Sequence, residues 1–411
     1  MSELEVAHTQ EDIAYLLSTR AIRERASKIY ASASVGGTHF EIDEDALDAT
    51  ADLVTRITYE AYPSLELPFH SRWGHFRAGG RDRLRDLNRE LAGLAEDEAV
   101  RAKLDLVIVS VLLDAGAGTA WGYRDGQERI GRSEGLAVAS FRMFMEGAFS
   151  SDSSRPFRAD AAGLEALTLE ELAVGFQVTE DNPLVGLEGR LALLHSLGAA
   201  MRAGQSYFGA ELPRPGGLFD FLSSGGKDEI SATDLLDAVL RGLGPIWPGR
   251  LSLGGVNLGD VWHHPILGDA GTLEGLMPFH KLSQWLTYSM IEPIEEAGLT
   301  VGGVNDLTGL AEYRNGGLLV DAGVLRLRDE GVLEQAHVPN SELIVEWRAL
   351  TVHLLDRLAP MVRERIGMDE AQFPLAKVLE GGTWRAGRWI AAEKRPGGGP
   401  PIRIESDGTV F

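Results

Sequence analysis

The longest helical pattern in the chain runs from about Asn340 to Ile366, and it limits the fold more than any other segment. Its apolar stripe, Leu343, Trp347, Leu350, Leu354 and Leu358, advances by alternating three- and four-residue steps, the spacing of one helix face. Other segments repeat the pattern at shorter length. Residues 9–30 place Ile13, Leu16, Leu17, Ile22 and Ile29 near helical spacing behind Thr9 as N-cap. Residues 39–62 read as a short extended piece, Asp43 as a cap, and a second helix. Residues 97–114 form a strongly apolar helix; 135–147, 167–176, a run ending near Met201, 231–240 and 279 to Pro293 follow. Gly244 to Gly275 reads as a long loop carrying Trp262, His263 and His264. The expected fold is therefore mainly α: a multi-helix core forming one large helical domain over residues 1–411. A small β addition includes a C-terminal hairpin turning at Asp407-Gly408. A subdomain joint is expected near 210–229, where Pro and Gly concentrate.

Composition removes several function classes. With no cysteine among 411 residues there is no disulfide, thiolate metal site or cysteine nucleophile. The formal net charge of −22 opposes a nucleic-acid-binding surface, which needs clustered Lys and Arg. It does not oppose a small anionic ligand held locally by a few inward-facing cations. No apolar run approaches the roughly 20 residues that span a bilayer, and the acidic N-terminus lacks an export pattern. A cytoplasmic chain acting on a small molecule is expected, with homo-oligomerisation left open.

The candidate chemistry concentrates in Gly309–Leu325. Glu312, Tyr313, Arg314 and Asn315 set a carboxylate, a phenol, a guanidinium and an amide side by side, ahead of the glycine pair Gly316-Gly317. That stretch suits a site wall or a helix–loop–helix connection with a capping Asn. On the long helix, Arg348 lies beside Ile344, Val345, Thr351 and Val352, so it needs an anionic partner, either a ligand or a structural carboxylate. Glu346 sits at the edge of the same buried face. Lys281 and Gln284 share a helix face one turn apart, and Lys281 either holds a phosphate or reaches solvent. Trp73, His75 and Arg77 precede a second glycine pair, and Asp114 ends the apolar helix ahead of Trp121, an arrangement that suits a pocket rim. The chain has no HExxH, P-loop or EF-hand pattern, and it is read as lacking a G-x-S-x-G serine motif. No metal set and no cofactor is identified.

Six segments, SRWGHFRAGG, VSVLLDAGAGTAW, RSEGLAVASF, TEDNPLVGLEGR, LTGLAEYRNGGLLVDAGVL and ELIVEWRALTV, carry a resemblance to the uracil catabolism protein 4 family. It covers essentially the whole chain in order. It implies a role in uracil degradation through uridine nucleotides and a ring-opened ureido-ribose phosphate. A more distant likeness is to queuosine-5′-phosphate N-glycosylases, which are all-helical and similar in fold to DNA glycosylases. Their KRAQ helix, DYR segment and EVEIRA helix correspond here to Lys281–Gln284, Leu307–Arg314 and Ile344–Ala349. The likeness implies that Glu312 takes the role of their catalytic aspartate in cleaving a ribosyl–base bond. Arg314, Arg348 or Lys281 would then hold a 5′-phosphate, Trp121 or Trp73 would flank the leaving group, and Asn315 would bind a urea-like one. Glu in place of Asp, Asn-Gly-Gly in place of Val-Pro-Gln, and Ser289 in place of a further Asp imply a different leaving group. The expected activity is an N-ribosyl hydrolase releasing urea from a ureido-ribose 5-phosphate; the alternative is a non-catalytic nucleotide-binding protein of the same route.

Overall fold

Helix ends in this chain are written by short polar side chains. Thr9 Oγ1 accepts from the Asp12 amide at 3.2 Å while Asp12 accepts from the Thr9 amide at 2.8 Å, a reciprocal capping box that starts the helix Gln10–Leu16. The expected continuous helix over 9–30 is broken at Ser18, whose hydroxyl caps a second helix, Thr19–Val35. Asp43 is not the cap of the next one. Helix Ala46–Ala61 starts behind Asp45, and the Asp43 carboxylate accepts instead from the Asp45 amide.

The computed structural model describes residues 2–114, 116–118, 120–247 and 251–405. It is a mainly α fold with small strand pairs, as the sequence predicts. The turn of the expected C-terminal hairpin lies outside the described residues. Within them, Arg403–Ile404 pairs in parallel with Ala336–His337. Tertiary contacts divide the chain into two units. The first comprises residues 1–70, 249–284 and 303–411; the second comprises 71–248 and 285–302. The Pro- and Gly-rich stretch 210–229 lies wholly within the second, where it includes the helix Gly217–Ser223.

In the first unit, helix Glu342–Ile366, capped by Ser341, packs against Thr19–Val35 and Ala46–Ala61. Its predicted stripe is buried: Leu343, Trp347, Leu350, Leu354 and Leu358 are all core residues. Helix Tyr313–Asp321 packs against Trp384–Lys394. The expected long loop 244–275 contains short strands. Leu251–Leu253 pairs with Val256–Asn257, and Val261–His263 pairs antiparallel with Leu276–Pro278.

In the second unit, helix Glu96–Leu112 is buried almost all round and packs on Arg132–Met145. It buries a charge, Asp105, which accepts from Arg214 Nη2 at 2.6 Å and from the amides of Ala159 and Gly216. Such a carboxylate tolerates burial because both of its oxygens meet donors and one of its partners is a cation. A hairpin, Gly122–Asp125 with Glu128–Gly131, was not expected from the sequence. Its turn holds Gly126 at φ 68° after Asp125, so the Asp-Gly pair was the available signal. Helix Lys281–Glu295, which belongs to this unit from Trp285 onward, passes Pro293, since a proline in the last turn removes one hydrogen bond without ending the helix.

Candidate functional site

The sequence reading places a turn at Gly316-Gly317. The structure places both glycines inside helix Tyr313–Asp321. Their lack of a Cβ serves packing: a Cβ on Gly316 would lie 2.9 Å from the Trp347 indole and from Thr351 Oγ1. The helix starts at Glu312, not at an asparagine. Glu312 Oε2 accepts from the Arg314 amide at 2.7 Å and Oε1 from the Asn315 amide at 2.6 Å. A carboxylate there answers the partial positive charge of the helix N-terminus.

Burial is the largest influence on Glu312 and raises its pKa above the usual carboxylate range. The two amides, then the positive charge of Lys281, act in the opposite direction. Glu312 keeps partial surface exposure, as does Lys281. The result is a desolvated carboxylate held in one orientation by its own helix.

Two buried side chains fix the segment leading to Glu312. Gln284 Oε1 accepts from the Thr308 amide at 2.8 Å, and its Nε2 donates to Thr308 Oγ1 at 2.6 Å and to the Phe279 carbonyl at 3.1 Å. Arg348 Nε donates to the Ala311 carbonyl at 3.2 Å, directly before Glu312. Its two terminal nitrogens meet Asp260 at 2.9 and 2.8 Å, and its guanidinium lies 4.0 Å from the Phe279 ring centre. Of the two partners foreseen for Arg348, the structure supplies the carboxylate. Asp260 also accepts from Trp262 Nε1 at 2.6 Å and from the Lys281 amide at 3.0 Å. Burial opposes the Asp260 charge, but Arg348 and these donors hold its pKa far below the ordinary value.

The remaining expected ligand groups of this unit have structural partners. Glu346 accepts from the amides of His39 and Phe40 at 3.1 and 3.2 Å, anchoring strand Phe40–Ile42. Arg314 Nη1 donates to the Gly398 carbonyl at 2.7 Å. Asn315 Nδ2 donates to the Leu310 carbonyl and its Oδ1 accepts from Thr383 Oγ1 at 2.8 Å. Asn315 is fully buried and therefore braces the helix. Tyr313 is partly exposed.

Sequence reasoning missed the polar network around Glu380. His70 Nδ1 lies 2.9 Å from Glu380 Oε2, while Tyr62 Oη and Arg385 Nη2 each donate to Oε1 at 2.8 Å. Tyr62 is pushed up to about 12, chiefly by burial and then by the Glu380 charge. Glu380 sits in a π-helical turn, Leu379–Thr383, a form frequent at functional sites. The glycine pair Gly381-Gly382 behind an acid was the available signal. A cavity of about 660 Å³ lies beside Trp262 and His263, lined also by Val338, Asn340 and Glu342.

Five expected residues lie in the second unit. Trp73 and Trp121, read as flanking a leaving group, are core residues there. Trp73 Nε1 donates to Glu296 at 3.2 Å and Trp121 Nε1 to the Phe176 carbonyl at 2.9 Å. Arg77 is exposed, 3.7 Å from Asp82. His75 and Asp114 are brought together: Ser133 Oγ donates to Asp114 Oδ2 at 2.7 Å and lies 3.4 Å from His75 Nδ1. Beneath them, the fully buried Arg72 meets Asp114 Oδ1 at 2.8 Å.

The family model described as Protein of unknown function (DUF1688) matches residues 15–411. Protein urg3 of Schizosaccharomyces pombe is 44% identical over 412 residues, covering 98% of this chain and 99% of its own length. Uracil catabolism protein 4 of Lachancea kluyveri is 39% identical over 437 residues, covering 97% and 99%. No helix among the described residues is long and apolar enough to cross a membrane.

Proposed function

We propose that this chain, which belongs to the DUF1688 family of proteins of unknown function, is an N-ribosyl hydrolase of uracil catabolism. Its substrate would be a phosphorylated ribosyl compound, ureido-ribose 5-phosphate, and its products urea and ribose 5-phosphate. The pathway comes from the name of the Lachancea kluyveri relative. The chemistry rests on one observation: Glu312 is a desolvated carboxylate held in one orientation by the amides of Arg314 and Asn315.

Cleavage of an N-ribosidic bond develops positive charge on the sugar, which a nearby carboxylate stabilises while it takes a proton from water. Burial makes Glu312 a stronger base than an exposed glutamate. Each of its oxygens carries a second lone pair beyond the one used in capping. Lys281 suits the phosphate as a compact charge. The test is incubation with ureido-ribose 5-phosphate, following ribose 5-phosphate release. Glu312→Gln is expected to lower kcat by about 10²- to 10⁴-fold, the range for a positioned base. Absence of turnover by the wild type, or an unchanged rate in the variant, overturns the reading.

One observation favours a second reading, a nucleotide-binding protein without turnover. Both Glu312 oxygens are already engaged by its own helix. That reading predicts thermal stabilisation by uridine nucleotides, retained in Glu312→Gln, with no product formed.

A further inference from the structure

The second unit contains a reactive-serine constellation that the Glu312 reading does not use. Residues 131–135 read Gly131-Arg132-Ser133-Glu134-Gly135, the G-x-S-x-G spacing, contrary to the expectation that the chain lacks it. The motif stands in the strand–turn–helix context that its chemistry requires. Strand Glu128–Gly131 ends at the first glycine, and helix Arg132–Met145 begins at once. Arg132 between them holds φ 56°, a left-handed conformation uncommon for a residue with a side chain. The second glycine is a steric necessity, since a Cβ on Gly135 would lie 2.2 Å from the Ile130 carbonyl oxygen. The strained turn sets Ser133 at the helix N-terminus, partly exposed.

Around Ser133 stand the groups an acyl transfer needs. Its Oγ has two proton acceptors, Asp114 Oδ2 at 2.7 Å and His75 Nδ1 at 3.4 Å, both partly exposed. The Asp114 carboxylate is already paired with Arg72, whereas an imidazole can both take up and return a proton. Arg72 forms a buried floor, meeting Asp114 Oδ1 at 2.8 Å, the Ser133 carbonyl at 2.6 Å and His75 Nδ1 at 3.3 Å. Its place is set by Ser289, whose Oγ accepts from the Arg72 amide at 2.8 Å. The Trp285 ring lies against both Arg72 and His75, with centre distances of 5.1 and 5.9 Å. Trp285 is only 7% exposed, and its indole N–H has no hydrogen-bond partner among the described residues. A buried, unsatisfied donor on a ring lying against the arginine and the histidine of this cluster is what an acceptor atom on a ligand would satisfy.

We propose that Ser133 is a nucleophile, with His75 as its base, acting on a small ester or amide. Ser133 Oγ bonds to the acyl carbon and its proton passes to His75. The carbonyl π pair moves to oxygen, beside the first-turn amides of a helix that Gly131 does not cap through a side chain. Collapse expels the alcohol or amine, which leaves with the proton from His75. Water then attacks the acyl-serine, releases the acid and restores Ser133 Oγ–H. Asp114, held by Arg72, orients the serine hydroxyl and is a positioning residue.

The test uses the full chain and diisopropyl fluorophosphate, which exchanges fluoride for Ser Oγ and releases HF. One phosphoryl adduct per chain is expected, mapped by tandem mass spectrometry to the peptide holding Ser133. Mapping on the wild type needs no variant to fold. Ser133→Ala should abolish the adduct, and His75→Gln should slow labelling by about 10²-fold or more, the share of a positioned base. Glu312→Gln should label at the wild-type rate, which separates this site from the ribosyl-cleaving one. An adduct elsewhere, no adduct, or a labelling rate indifferent to His75→Gln overturns the proposal.

Discussion

At the scale of single residues, the buried charges divide into those that a partner stabilises and those that burial leaves exposed to pH. Asp260 and Arg348 are the first kind. Asp260→Asn leaves a guanidinium that is 2% exposed without its counter-charge, which costs about 3–5 kcal/mol. Urea denaturation should show that loss, with the midpoint displaced and the slope unchanged; a shift under 1 kcal/mol would contradict the pairing. Glu292 is the second kind. Burial raises its pKa from 4.5 to about 7, against the hydroxyl of Ser71, which donates to it at 3.0 Å. A carboxyl whose folded pKa is raised favours the folded state below its unfolded pKa, and that contribution is lost as pH rises towards 7. Glu292→Gln lacks this titration. The melting temperature of the variant relative to wild type should therefore increase between pH 5 and pH 8, and a flat difference would refute the assignment.

At the scale of elements, the helices were largely legible because their apolar spacing and their caps are local. Thr9 and Ser18 show the limit of that legibility: both are good caps, but only the second one's effect, a break at residue 18, changes the element. Glycines were less legible, because what matters is the neighbour that approaches them. A Cβ on Gly387 would lie 2.1 Å from the Arg314 carbonyl oxygen, where helix Trp384–Lys394 packs on Tyr313–Asp321. Gly387→Ala should cost about 1–3 kcal/mol through forced separation of the pair. Gly189, inside helix Leu187–Ala203, has nothing within 4 Å of its missing Cβ. Gly189→Ala should stabilise by about 0.5–1 kcal/mol from the backbone entropy removed. Thermal melts of the two variants should move in opposite directions. A common direction would mean that packing does not distinguish them.

At the scale of the whole molecule, the net charge of −22 sets a background of self-repulsion that salt screens over about 10 Å at 0.1 M. Raising sodium chloride from 20 to 300 mM should raise the melting temperature, and a fall would show that attractive surface pairs outweigh the excess of acid. The sequence by itself determined the mainly α class and the long helix with its buried stripe. Each of these depends on neighbours within a few positions in the chain. Only the tertiary structure decided what the polar residues do. Arg348 was open between a ligand and a carboxylate until Asp260, 88 positions away, came within 2.9 Å. Trp73 and Trp121 became core, Glu346 an anchor for a strand, and Asn315 a brace. Ser133, His75 and Asp114, 58 and 19 positions apart, became neighbours through one strained turn. Local periodicity fixes which face of a helix is buried. The partner of a charge buried there depends on which distant segment the fold brings to it.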